Sequence, residues 1–241
     1  SKMQKNVTLK QFYFQDAPTI VKRRYVDNDL QKLFEVYFYN DQPSTEYIDP
    51  EICSWLDKNT AQFDLVIVPD FGNGFISGKM IQKLCDNARF LAVNTQVNSG
   101  NRGYHSINRY PRADFVSLNG PELRVATHNR HDSYENLTRK LTEKVGAKYF
   151  AVTLGSNGAL LLDQGKDTLH ETPVLSTKVL DRIGAGDTFL SLTGLCLGGG
   201  VPADVALFAG SAAAALDVQV VCNREPISPV NLFKYIGTLL K

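Results

Sequence analysis

The stretch Asp181-Arg182-Ile183-Gly184-Ala185-Gly186-Asp187-Thr188-Phe189 decides how the rest of the chain is read. It lies where extended chain over residues 177–180 gives way to an apolar run with helical character over 188–197. Glycine at 184 and 186 lets the backbone approach a ligand closely and take positive φ where the turn needs it. The N–H groups of a helix's first turn have no intrahelical acceptor, and with the positive end of the helix dipole they form an anion site. Such a site suits a phosphate whose charge shifts during transfer. Asp187 admits two explanations. An acid in a first turn caps the helix and complements its dipole. Beside an anion site it can also take the proton of a hydroxyl attacking a phosphoryl group. Spacing alone does not choose between them.

Working outward, short apolar runs alternate with helical patterns. Residues 65–68, 90–93, 114–118, 149–154 and 159–162 read as buried strands, and 50–58, 77–87 and 134–145 as helices. This alternation predicts an α/β fold with a largely parallel sheet covered by helices on both faces. Downstream, the helical run stops at Gly198-Gly199-Gly200, Pro202 opens an Ala-rich helix to 216, and Ser228-Pro229 caps a last helix reaching Leu240. Residues 7–14, 19–26 and 33–39 are rich in β-branched and aromatic residues and predict strands. The expectation is one domain over 1–241, with a β-rich N-terminal segment (1–40) on an α/β core (50–241).

Composition narrows the function classes. The chain has 241 residues, 43% hydrophobic and 21% charged, with a net charge of +1. That balance offers no field to recruit nucleic acid or an anionic membrane, so an anionic ligand must be held by local groups. No apolar run approaches the roughly 20 residues that span a bilayer. Ser1-Lys2-Met3-Gln4-Lys5 lacks the apolar core of a signal peptide, and Cys53, Cys85, Cys196 and Cys222 form no CxxC pair. Reduced thiols and a cytoplasmic location are expected. His128 and His131 lack a third ligand and are expected in a solvated loop. Lys22-Arg23-Arg24 suits either a substrate phosphate or a charge-protected strand edge, and Tyr37-Phe38-Tyr39 a strand packing on a second subunit. No G-x-G-x-x-G follows an early strand, which speaks against a dinucleotide dehydrogenase.

Residues 181–189 match the pattern D-x-x-G-A-G-D-[ST]-F, and the chain thereby resembles the PfkB (ribokinase-like) carbohydrate kinases. The resemblance implies a ribokinase-like three-layer sandwich with a β-rich, lid-like segment. It implies an anion hole built by the backbone of Gly184, Ala185 and Gly186, with Asp187 as catalytic base. Asn119-Gly120-Pro121-Glu122 fits the family's N-x-x-E motif, which there helps arrange Mg²⁺ and the nucleotide phosphates. An Asn cap with Pro and Glu in the first helical turn explains the same four residues. Thr153, Gly155 and Gly158 fall in a stretch similar to the family's nucleotide-binding loop, and equally in a glycine-containing hairpin turn. The Ala-rich helix and the segment after it correspond to the adenine-side wall, making Ser211 and Asn223 candidate nucleotide contacts. In some relatives a monovalent cation such as K⁺ sits at the positions of Asp181 and Ile183.

Within the family, the likeness is to the heptose-phosphate kinase group found in bifunctional proteins. Pro18-Thr19-Ile20-Val21-Lys22-Arg23-Arg24 and Gln31-Lys32-Leu33-Phe34 resemble its lid strands, and residues 68–74 its D-Y-x-K-G strand end. Asn73 stands where that motif has Lys, and Asn94-Thr95 where an Asp-Pro pair is usual; Arg102 and Arg109 are candidates to supply the lost charge, and a solvated basic loop explains them equally without it. Family members begin with a further βαβ region whose glycine motifs hold the sugar, and the chain is expected to be shortened at its N-terminus relative to them. The function implied is ATP- and Mg²⁺-dependent phosphoryl transfer to a hydroxyl of a sugar or sugar phosphate, heptose-phosphate-like acceptors favoured. The implied assembly is a homodimer through the N-terminal strands, with a fused or partner nucleotidyltransferase. The alternative is a catalytically weakened nucleotide- or sugar-phosphate-binding module serving assembly or regulation.

Overall fold

The strand-forming composition of the first forty residues yields one antiparallel pair, β1 (Val21–Val26) and β2 (Lys32–Phe38). The computed structural model describes residues 6–14, 17–27, 32–40, 45–98, 100–101, 103–221 and 225–241. Side chains alternate across the pair, so Lys22 opposite Tyr37 and Arg24 opposite Glu35 share one face. Val21 opposite Phe38, Arg23 opposite Val36 and Tyr25 opposite Phe34 share the other.

The expected strand over residues 7–14 does not form: residues 6–14 belong to neither sheet. Their aromatic side chains find another partner. Phe12 and Phe14 pack against Ile48, Ile52 and Met80, with Phe12 edge-on to Trp55 at 6.2 Å and Phe14 edge-on to Phe75 at 5.1 Å. β-propensity measures fit to a half-buried surface, and here a helix surface supplies it without a strand ladder.

Beyond these residues, strands and helices alternate as expected. α1 (Asp49–Asn59) leads to β3 (Val66–Asp70), α2 (Gly78–Asn87) and β4 (Leu91–Thr95). β5 (Phe115–Asn119) is followed by α3 (Gly120–Thr127), α4 (Tyr134–Val145) and β6 (Tyr149–Thr153). The hairpins β7 (Ala159–Asp163) and β8 (Thr168–Thr172) precede α5 (Ala185–Gly198), α6 (Ala203–Asp217) and α7 (Pro229–Leu239). The strands lie in chain order, β3-β4-β5-β6-β7-β8, with the first four parallel and the last two antiparallel. α3 and β8 go beyond the expected elements. β8 is an edge strand whose sequence, Thr-Leu-His-Glu-Thr, carries a single apolar residue, so no hydrophobic run marks it.

Period-two alternation sends the central strands into two cores. Leu91, Val93, Val116, Leu118, Phe150 and Val152 meet Ile81, Leu84, Leu123, Leu137 and Leu141 from α2, α3 and α4. Ala92, Phe115, Ala151 and Leu161 meet Phe189, Leu190, Leu197, Ala206 and Leu207 from α5 and α6. The second core uses small residues because α5 and α6 pack very closely. A Cβ on Gly210 would lie 1.9 Å from Thr193 Oγ1, so only glycine fits at that crossing.

Cys53, Cys85 and Cys196 are free thiols, while Cys222 lies outside the described residues. Among the described residues no helix is long and apolar enough to cross a membrane. The α5–α6 crossing predicts that Gly210→Ala overpacks the core and costs about 1–3 kcal/mol in urea unfolding. Adding Thr193→Ala should recover part of that loss; additivity of the two changes would show that the contact is not the cause.

Candidate active site

A cleft of about 1440 Å³ opens where the parallel strands end and α3 and α5 begin. Its lining gathers residues from distant parts of the chain: Asn94 in β4 and Gln96 just beyond it, Asn119 at the end of β5 and Glu122 in α3, Thr153 at the end of β6 and Gly155 and Gly158 in the turn that follows. Ile183, Gly184, Ala185, Gly186 and Asp187 form the wall opposite, and Ser211 comes from α6. Lys22 and Arg24 reach it from β1. Asn223 and Arg102 lie outside the described residues.

α5 starts on Gly184, whose φ of 92° is left-handed and favours glycine. No side chain caps the helix. Thr188 N donates to Gly184 O at 2.8 Å, so the amides of residues 185–187 have no acceptor within the helix. Asp187 therefore does not serve as the N-cap. Its Oδ1 accepts from Gln96 Nε2 at 3.0 Å. Burial pushes the Asp187 carboxyl above the usual range, against the pull of the Gln96 N–H and the Lys22 ammonium.

At α3 the capping explanation holds in full, and the same residues line the cleft. Asn119 Oδ1 accepts from Glu122 N at 2.8 Å, and Glu122 Oε2 accepts from Asn119 N at 2.9 Å, a reciprocal capping box. Glu122 Oε1 also accepts from Val97 N at 3.3 Å, tying the chain beyond β4 to α3. Burial raises the Glu122 carboxyl to about 7; the Asp187 charge adds to the rise, and the donors from Asn119 and Val97 oppose it.

The turn after β6 is likewise a real hairpin, with Leu154 N donating to Gly158 O at 2.8 Å. Gly155 and Gly158 both take positive φ, and a Cβ on Gly158 would lie 1.9 Å from Thr172 O. Ser211 Oγ is buried without a hydrogen-bond partner among the described residues, as is Asn94 Oδ1, whose Nδ2 donates to Ser117 O at 2.8 Å. Asp181 does not line the cleft. Its Oδ1 accepts from Ile183 N at 3.1 Å, and its own N donates to Val218 O at 3.1 Å.

Arg109 does not replace the charge missing at position 73. It pairs with Asp70 at 3.2 Å and donates to Ile76 O at 2.7 Å, inside a network that also ties Tyr110 OH to Asp70. That network spends its cation on a buried carboxylate and keeps it off the cleft wall. The positive charge facing the cleft comes instead from Lys22, Arg24 and Arg182. Arg24 is paired with Glu35 at 3.2 Å, and Lys22 Nζ sits 4.8 Å from the Phe71 ring centre and 5.2 Å from that of Tyr37.

Residue patterning did not single out Gln96 or Asp217. Asp217 ends α6, is 4% exposed and leaves Oδ2 without a partner among the described residues; burial pushes its carboxyl up, a Thr188 hydrogen bond opposes this, and the Asp181 and Asp187 charges add to the rise. A buried acid in an Ala-rich helix is the only trace it leaves in the sequence. His128 closes α3 and, with His131, lies exposed in the loop that follows, as expected. Among the described residues no group of three or more His, Cys, Asp or Glu is placed to hold a metal ion.

A mostly parallel six-stranded sheet, with the start of α5 lying beside the cleft at the strands' carboxyl ends, defines an α/β protein of the ribokinase-like fold. Residues 15–229 match the family described as pfkB family carbohydrate kinase, and the chain belongs to that family. It is 27% identical over 203 residues to the bifunctional protein HldE of Wolinella succinogenes, covering 83% of this chain and 41% of that protein. The chain thus spans about two fifths of that relative's length. The ribokinase of Arabidopsis thaliana complexed with ribose and ATP superposes with a TM-score of 0.63 at 19% identity, over 92% of this chain and 70% of that one. Escherichia coli phosphofructokinase-2 in complex with potassium gives 0.70 at 14% identity, over 86% and 67%.

The raised Glu122 carboxyl has a direct consequence for stability. Folded Glu122 binds its proton up to about pH 7, against 4.5 ordinarily, so the unfolded chain ionises first as pH rises. Stability is expected to fall between about pH 5 and 7 by on the order of 1–3 kcal/mol, and Glu122→Gln should flatten that slope. Urea unfolding at pH 5, 6 and 7 measures it; identical slopes in both proteins would remove Glu122 as the cause.

Proposed function

We propose that the chain transfers the γ-phosphoryl group of ATP to a hydroxyl of a sugar phosphate, with Asp187 as the proton acceptor. One observation carries this reading: the Asp187 carboxylate and the amides at the start of α5, which have no acceptor among the described residues, share the wall of a single cleft. The hydroxyl oxygen attacks phosphorus as its proton passes to Asp187. The bond to the β–γ bridging oxygen breaks, and ADP leaves with that electron pair. Charge growing on the phosphoryl oxygens is met by amides already oriented, which costs no reorganisation during the step.

Thr153, Gly155, Gly158 and Ser211 fall on the nucleotide side. Mg²⁺ accompanying the nucleotide would neutralise phosphate charge, reached through water by Asn119 and Glu122. Lys22, Arg24 and Arg182 favour an acceptor with an anionic group over a neutral sugar, in keeping with the likeness to HldE. K⁺ beside Asp181 and Ile183 belongs to the same reading.

The outer face of β1 and β2 supports a second proposal, a homodimer through these strands. Tyr25, Phe34 and Phe38 lie exposed on it, and a lone two-stranded sheet is marginally stable in water. Sedimentation equilibrium should find a dimer that Phe34→Glu converts to monomer; a monomeric wild type refutes it.

Activity is tested on a panel of hexoses, heptoses and their phosphates with ATP, Mg²⁺ and either K⁺ or Na⁺. Phosphorylated acceptors should turn over in preference to neutral ones. Asp187→Asn should lower the rate by roughly 10²–10⁴ while calorimetric ATP binding persists. A variant retaining the wild-type rate overturns the base assignment, and ATP binding without turnover of any acceptor returns the binding-module alternative.

A further inference from the structure

Asp187 is met from across the cleft by one neutral side chain, that of Gln96, 91 residues earlier in the chain. A carboxylate only accepts hydrogen bonds, so the contact at 3.0 Å orients the Gln96 amide with Nε2 toward Oδ1. Three other elements fix the backbone that carries this amide. Gln96 N donates to Asp70 O at 2.9 Å, at the end of β3. Gln96 O accepts from Asn101 Nδ2 at 3.1 Å, and the same Nδ2 lies 3.2 Å from Phe71 O. The next residue, Val97, donates its N–H to Glu122 on α3. Few rotatable bonds remain between this frame and the carboxylate.

We propose that Gln96 is the positioning residue for Asp187: it occupies Oδ1 and thereby presents Oδ2 to the acceptor hydroxyl. The proposal rests on the reading of Asp187 as proton acceptor. Asp187 is half-buried, and burial alone would leave its carboxyl protonated over a wider pH range. A donor from a neutral amide offsets this without a second charge that would compete for the phosphates. Other charged groups face the same region. Lys22 on β1 favours the ionised form, Glu122 on α3 and Asp217 at the end of α6 are acids whose own carboxyls the Asp187 charge pushes up, and Arg182 lines the wall before α5. Gln96 is the uncharged member of this set, so its removal changes hydrogen bonding with no change of charge.

The test is the titration of Asp187 itself, read by carboxyl ¹³C NMR of aspartate-labelled protein, with its resonance identified by loss in Asp187→Asn. Gln96→Leu removes the donor and should move the midpoint upward by about half to one pH unit. Gln96→Glu keeps the shape, adds a carboxyl and should move it further. In turnover, the acid limb of kcat/KM should move up by the same amount, with kcat falling more than KM changes. An unmoved Asp187 midpoint in both variants overturns the proposal. The two readings separate cleanly: a shifted midpoint in a protein that phosphorylates nothing sinks the kinase reading alone, while an unmoved midpoint in an active enzyme sinks the positioning role alone.

Discussion

Parallel strands joined by crossover segments deliver their carboxyl ends to one edge of the sheet, and the helices that follow begin at that edge. In this chain β4, β5 and β6 end at Thr95, Asn119 and Thr153, and the residues just beyond them line one cleft. α5 brings the amides of its first turn to the same place because its small-residue contacts let it lie close against α6 and the sheet. Were that packing looser, the start of α5 would drift from Asn119, Glu122 and Gln96, and the cleft would lose one wall.

The acids in the cleft show how a fold can hold charge where water is scarce. Glu122 is the more buried and is given two backbone donors; Asp187 is half-buried and is given one amide and a nearby ammonium. Both remain pushed toward the protonated form, because donors recover only part of the solvation that burial removes. Two acids in one cleft with unequal environments can therefore play unequal parts. Glu122 is committed to the start of α3, whereas Gln96 engages only one oxygen of Asp187.

A residue that serves the fold locally can also face the cleft. Asn119 and Glu122 form a capping box and also line the cleft, and Gly158 is demanded by the hairpin that places Thr153 beside the same space. Asp187 differs, since Gly184 begins the helix and no side chain caps it. Local pattern could not distinguish these cases, because a cap and a ligand contact ask for the same residue types at the same turn. Arg109 erred in the other direction. Its sequence neighbourhood allowed a phosphate contact, but a buried Asp70 claims it, and that carboxylate lies 39 residues away.

What the sequence by itself determined was the alternation of strands and helices, the α/β class, and the cluster of small residues followed by an acid at 184–187. These are readable because they rest on local periodicity and on contiguous residues, which no distant partner alters. Residues 7–14 show the limit, since their strand-forming composition was satisfied by packing on α1 and not by a ladder. Tertiary structure alone decided which distant side chains meet: Gln96 with Asp187, Glu122 with Val97, and Lys22 with the rim at Phe71. Such pairings depend on where parallel strands end in space. Sequence separation carries no record of that distance, because crossover length is set by the helices and not by the gap the side chains must bridge.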